Sequence, residues 1–147
     1  DVYKRQISDK GISFSDEAKN ELMTATKAIS EILDITVTAF CDNDAEAALR
    51  VEPLEQVIDT LKEQMRTRHI LRMQQGHCSI EAGFVWSDLL TDLERTADHC
   101  SNIAGCVLDA ANHGLNLHET LRAMRADDPD FRRAYGTYAE KYRLQAA

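Results

Sequence analysis

Apolar residues recur at steps of three and four along three long stretches, a spacing that predicts three long helices. Ser15 is a natural N-cap with Asp16 and Glu17 in the first turn. The stripe Leu22, Ala25, Ile29, Ile32, Leu33, Thr36 and Phe40 carries the first helix to about Cys41. Asp42, Asn43 and Asp44 end it, and Asn43 or Asp44 caps a second helix reaching about Gln75 on the stripe Leu54, Ile58, Leu61 and Met65. Pro53 lies inside that helix and predicts a kink; Gly76 marks its end. Ser79 caps a third helix, on which Trp86, Leu90, Leu93, Ala97, Cys100, Ala104 and Val107 alternate in steps of four and three, a coiled-coil-like seam suited to a bundle. Asn112 to Gly114 closes it. Asn116 with Glu119 forms a capping box for a short helix to about Arg125. Asp128 and Pro129 then start a last helix bearing Phe131, Tyr135, Tyr138 and Tyr142, an aromatic face that predicts docking on the bundle. Residues 1–13 have no period and read as a linker, 14–114 as an antiparallel three-helix bundle, and 115–147 as a C-terminal helical extension. The fold class is all-α.

Composition agrees. The 147 residues include six Gly and two Pro, too few for the many turns of a sandwich or barrel. The formal charge of −8 repels phosphate backbones, so generic nucleic-acid binding is not expected. No run approaches the length of a membrane span, and no secretory signal core is present. Cys41, Cys78, Cys100 and Cys106 form no C-x-x-C pair and are expected as reduced thiols. The chain starts at Asp1 rather than Met, as an excised part of a longer protein would.

Two helices carry the same acidic spacing: Glu55-x-x-x-Asp59 on the second and Glu94-x-x-x-Asp98 on the third, with Asn102 one turn on. Each pair forms a shoulder beside its apolar seam. Two carboxylates about 6 Å apart repel by roughly 3 kcal/mol at an effective dielectric of about 20, so four gathered at one site call for protons, basic side chains or a multivalent cation. Oxygen donors favour hard or borderline ions: Mg²⁺, Mn²⁺, Ca²⁺ or iron, with zinc as a further candidate. Spacing alone equally allows these acids to be solvated, or paired with Lys62, Arg66 or Arg95. His77-Cys78 and His99-Cys100 stand about 30 Å apart along the chain and cannot share a zinc ion. No histidine has a Glu three residues before it, which excludes a di-iron oxidase site. The basic half of helix two, Lys62, Arg66, Arg68, His69 and Arg72, reads as a complement to the helix dipole and the acidic surface. No nucleophile–base pair, P-loop or dinucleotide glycine pattern is present, and no enzyme is expected.

The run from Asp92 through Leu93, Glu94, Arg95, Thr96, Ala97, Asp98 and His99, followed by Asn102-Ile-Ala104, resembles the signature of the PhoU family, helical regulators of phosphate uptake. Thr96-Ala97 stands where that signature has Ile-Gly. Glu55, Ile58, Asp59 and Leu61 are similar to the partner motif. The resemblance implies a metal site of Glu55, Asp59, Glu94, Asp98 and Asn102 holding a divalent or trivalent ion (iron, zinc, Mg or Mn). The run Arg68 to Phe84, with Asp130-Phe131 and Glu140 to Tyr142, is similar to the PhoU-type cytoplasmic domain of bacterial sodium/phosphate cotransporter proteins. That likeness implies a non-enzymatic module on the cytoplasmic side of the inner membrane, partnered by a membrane phosphate transporter domain preceding it in the chain. PhoU proteins usually contain two three-helix repeats, whereas this chain offers one, so a homodimer restoring the second half is an open arrangement. A metal-free helical module docking a transporter or partner subunit is the alternative.

Overall fold

The computed structural model describes residues 12–111 and 128–145. Five helices follow in order: α1 (Asp16–Asp42), α2 (Ala45–Leu49), α3 (Val51–Gln74), α4 (Ile80–Ala111) and α5 (Pro129–Lys141). Among the described residues there is no strand. The long helices α1, α3 and α4 pack pairwise around one core, α2 sits across their end, and α5 lies on α3. The expected helix over 116–125 and most of the expected linker lie outside the described residues.

Local chemistry explains the boundaries. Ser15 accepts from the Ala18 amide at 3.2 Å to start α1, and Asn43 in the left-handed region (φ 51°) ends it. Ser79 accepts from the Ala82 amide to start α4. Gly76, at φ 74°, closes α3 in a Schellman turn, with the His77 amide bonding back to the Arg72 carbonyl. Asp128 caps α5 with Pro129 in its first turn.

The second predicted helix is corrected in one respect. Where a kink at Pro53 is expected, the chain breaks at Arg50 into α2 and α3. The pyrrolidine ring would strike the carbonyl four residues back, that of Leu49, and Pro53 has no N–H to bond it. Starting α3 at Val51 moves Pro53 into the first turn, where no hydrogen bond is lost.

The α3 stripe Leu54, Ile58, Leu61 and Met65 is buried throughout. The α4 seam is buried except for Leu93, which is partly covered. On α1 the core face is rotated from the expected one. Ala25, Ala28, Ile29, Ile32, Thr36 and Ala39 form it, leaving Leu33 exposed and Phe40 68% exposed. Alanines at 28 and 39 let α1 approach its neighbours closely, which a stripe drawn from large residues overlooks. Tyr138 and Tyr142 of the last aromatic face are buried, with Phe131 and Tyr135 partly so.

Polar ties join the helices at both sides of the bundle. Glu21 on α1, only 4% exposed, receives both terminal nitrogens of Arg72 from α3 at 2.9 Å each. Arg68 reaches Glu21 at 3.5 Å and donates to the Gln145 carbonyl at 2.8 Å. The Arg72 guanidinium lies 5.7 Å from the Trp86 ring centre on α4, and Trp86 stacks on the buried His69. Burial, with the neighbouring Arg72 charge, holds the His69 imidazole below its ordinary value of 6.5 and therefore neutral at pH 7. At the C-terminal side, Lys141 donates to Glu31 at 2.7 Å and the Tyr142 hydroxyl donates to its other oxygen.

Glu21→Ala strands the Arg72 guanidinium in a nearly dry site and is expected to destabilise the fold by about 3 kcal/mol. Loss of the exposed Lys19–Asp16 pair through Lys19→Ala is expected to cost less than about 0.5 kcal/mol. Urea unfolding midpoints of the two variants measure this difference.

Burial by itself would raise Glu31, but Lys141 and Tyr142 outweigh it and leave the carboxyl below 4.5. Burial and then the Glu31 bond push Tyr142 up from 10.0 to about 12. The Tyr142 contribution to stability is therefore complete below about pH 10 and lost as pH rises toward about 12, because the unfolded chain gives up that proton first. The Glu31 contribution is present above the ordinary carboxyl range and lost as acid protonates the folded state. Tyr142→Phe is expected to cost about 1 kcal/mol at pH 7 and to flatten part of the alkaline decline, leaving the share of the raised Tyr138. Stability measured against pH for both chains checks it.

Candidate functional site: an acidic seam between two helices

The antiparallel pairing of α3 and α4 decides which acids meet. Two contacts set the register. Ser101 donates to the buried Glu52 at 2.5 Å, and the Lys62 ammonium contacts Glu94 directly. Chain direction then brings Asp98 level with Glu55 and Glu94 level with Asp59.

Charge coupling agrees with this placement. Asp59 is raised above its ordinary 3.8, first by partial burial, then by the Glu94 and Asp98 carboxylates, while Lys62 pulls it down. The acidic ladders of the two helices therefore face a common side. Asp59 and Asp98 are exposed, Glu94 is partly covered, and Asn102 is exposed one turn beyond Asp98. Glu55 departs from the expected shoulder: it is 8% exposed and lies deeper than its partners. Glu55 and Asp59 also line an open groove of about 760 Å³ running to Tyr135 of α5, with Glu63, Arg68 and Thr67 further along.

Two members of the seam escape the E-x-x-x-D reading. Glu52, Glu55, Asp59 and Lys62 follow one another at steps of three, four and three on one face of α3. That spacing is visible in the sequence, yet only the middle two match the repeated motif. Glu52 contributes a buried link to Ser101, and Lys62 is the cation already housed among the acids. The rest of the basic half of α3 divides: Arg68 and Arg72 turn to Glu21, and Arg66 pairs with Glu63 at 3.6 Å.

The donor set, hard carboxylate oxygens with excess negative charge, suits a hard multivalent cation. Among the described residues, no three His, Cys, Asp or Glu side chains stand close enough to share one ion.

The PhoU domain profile matches residues 22–107, the whole region from α1 through the seam. The chain belongs to the PhoU domain family. It is also 28% identical over 120 residues to the "Phosphate-specific transport system accessory protein PhoU homolog 1" of Thermotoga maritima, an alignment covering 82% of this chain and 50% of that protein. The chain thus spans about half the length of the curated relative it matches. No solved structure matches it. Among the described residues, no helix of this PhoU domain is long and apolar enough to cross a membrane.

The opposing effects on Asp59 give a direct test of the seam. Lys62→Gln removes the one neighbour that lowers Asp59 and leaves the three that raise it, Glu94, Asp98 and Glu63, so its pKa is expected to climb further. Carboxyl NMR titration of the two chains reads the shift, and an unchanged or lower value would show that Lys62 does not face Asp59.

Proposed function

We propose that this PhoU domain is a regulatory, non-enzymatic module of phosphate transport. In this reading it works on the cytoplasmic face of the membrane beside a phosphate transporter, as in sodium/phosphate cotransporter proteins, and binds metal ions across α3 and α4. The observation that supports the metal reading is the α3–α4 register, in which Lys62 contacts Glu94 and Ser101 bonds Glu52, so that Asp59 shares a side with Glu94 and Asp98 and is raised by burial and by their charges. The fold disfavours its negative charge, and a cation of higher charge than Lys62 would relieve that penalty. Glu55, Asp59, Glu94 and Asp98 would supply the oxygens, with Asn102 adding a neutral oxygen or orienting a metal-bound water. Iron, zinc, Mg²⁺ and Mn²⁺ all remain compatible with that set. The regulatory role is supported by the PhoU match over α1 to α4 and by the relative described as a transport accessory protein.

One observation favours a second reading, a metal-free module that docks a transporter or partner subunit. Lys62 already supplies a positive charge at Glu94, so the seam is partly neutralised without an ion.

Metal analysis of protein purified without chelator and without a nickel tag, followed by Mg²⁺ and Mn²⁺ titration, separates the two. The metal reading expects a stoichiometric ion that Asp98→Ala loses while urea unfolding stays cooperative, and at least tenfold tighter binding in Lys62→Gln. No ion at any concentration supports the docking module. An Asp98→Ala chain that unfolds while its metal content is unchanged assigns the acids to structure.

A further inference from the structure

Each pair of long helices has an outer groove, and the three grooves differ in what they hold. Along α1 and α3, Lys141 and Tyr142 reach Glu31, and the Gln145 carbonyl takes Arg68. Between α3 and α4 lies the acidic seam. The α1–α4 groove carries exposed apolar side chains instead. Leu33 stands two residues and about 200° beyond Glu31, so it faces away from α3 and α5. Ile103 stands in the same relation to Ser101, which faces α3, and so lies on the α1 side of α4. α1 and α4 run in the same direction: Arg72 joins Glu21 to Trp86 at one end, and Thr36 lies against the Cys100 thiol further on. Ile103 is therefore level with Phe40. Leu33, Val37 and Phe40, at steps of four and three, form with Ile103 one exposed apolar strip. The row of alternating fours and threes from Thr26 to Phe40 on α1 contains no Asp, Glu, Lys or Arg. Nor does the matching row from Thr96 to Ala110 on α4, in a chain with 25 acidic and 17 basic residues.

We propose that this strip is the contact between two copies of the chain, related by a two-fold axis that crosses α1 between Leu33 and Val37. Charge selects the occupant. A chain of net charge −8 repels its own copy across any acidic face, and a two-fold contact sets a face against itself. The uncharged strip escapes that cost. A cationic partner has the acidic seam to bind, whereas this face offers it no charge. The axis turns α1 antiparallel to its copy, so Leu33 of each chain meets Val37 of the other. Lys27, exposed near one end of the strip, then comes level with the second copy's Asp42 and Asp44 at the other end. The face is thus apolar at its centre and opposite in charge at its two ends, which makes it complementary to itself. Phe40 and Ile103, on the same side of the axis, supply the largest surface to be covered.

The test is sedimentation velocity of the full chain from about 1 to about 100 µM, with a reductant present to keep the exposed Cys41 and Cys106 as thiols. The expected result is a dimer at the upper end of that range. Phe40→Glu is expected to weaken it about tenfold or more with helix content by circular dichroism unchanged. Phe84→Glu, at a similarly exposed aromatic near the start of α4, is expected to leave association as it was. Lys27→Gln is expected to weaken the dimer at low salt and to matter less at high salt. A chain that stays monomeric at the highest concentration overturns the proposal and leaves the strip to another partner. So does a dimer that Phe84→Glu dissociates and Phe40→Glu does not. Tighter pairing in Lys27→Gln also overturns it, because parallel helices would set Lys27 against itself.

Discussion

One carboxylate joins the parts of this bundle that the sequence keeps far apart. Glu21 on α1 holds Arg72 by both nitrogens and touches Arg68, both on α3. Arg72 lies over Trp86 of α4, and Arg68 reaches the carbonyl of Gln145 near the C-terminus. A buried ion pair of this kind returns little net stability, because desolvating both partners consumes most of the attraction. Its effect is on geometry. An apolar stripe tolerates small slides of one helix past another, whereas a two-pronged guanidinium–carboxylate pair has one good alignment. The α1–α3 register is held in this way, while Ser101–Glu52 and Lys62–Glu94 hold the α3–α4 register that sets Glu94 level with Asp59.

That α3–α4 register makes the acidic seam a consequence of helix packing rather than of local sequence. Lys62 stands among the acids as a tethered counter-charge, and its single positive charge leaves Asp59 still raised. A lysine is also a flexible, displaceable occupant. Its long stem can carry the ammonium toward solvent without any movement of the helices.

Much of this was legible in the residues. The three long helices, their caps at Ser15, Ser79 and Asp128, and the Gly76 stop all follow from local chemistry that acts in the same way in any context. The pairing of Glu55, Asp59, Glu94 and Asp98 on neighbouring helices followed from a repeated spacing. What was not legible depends on tertiary position. The break at Arg50 places Pro53 in a first turn and sends α2 across the bundle end, where the spacing of residues suggested a single kinked helix. The core face of α1 is set by alanines that gain value only through the closeness of a neighbour. Glu21 has no local mark that separates it from a solvated glutamate; only the arrival of Arg72, 51 positions later, buries it. Glu52 lies in the same stripe as the motif acids and was missed because it falls outside the repeated pair; Lys62 was foreseen as a pairing base, and the structure sets it on Glu94.

The two ends of the α3–α4 pair also differ in kind, and the difference can be traced to composition along α3. Its first half carries Glu52, Glu55, Asp59 and Glu63, all oxygen donors; its second half replaces them with Arg68, His69, Arg72 and Met73. Across the antiparallel partner the order reverses: the start of α4 brings Gly83 and Trp86, while Glu94 and Asp98 come later. Antiparallel packing therefore sorts hard donors with hard donors at one end, and nitrogen and sulfur with aromatic surface at the other. Chemistry at either end can vary independently, since the stretch between them is filled by Leu61, Met65 and Leu90, which are buried and carry no charge.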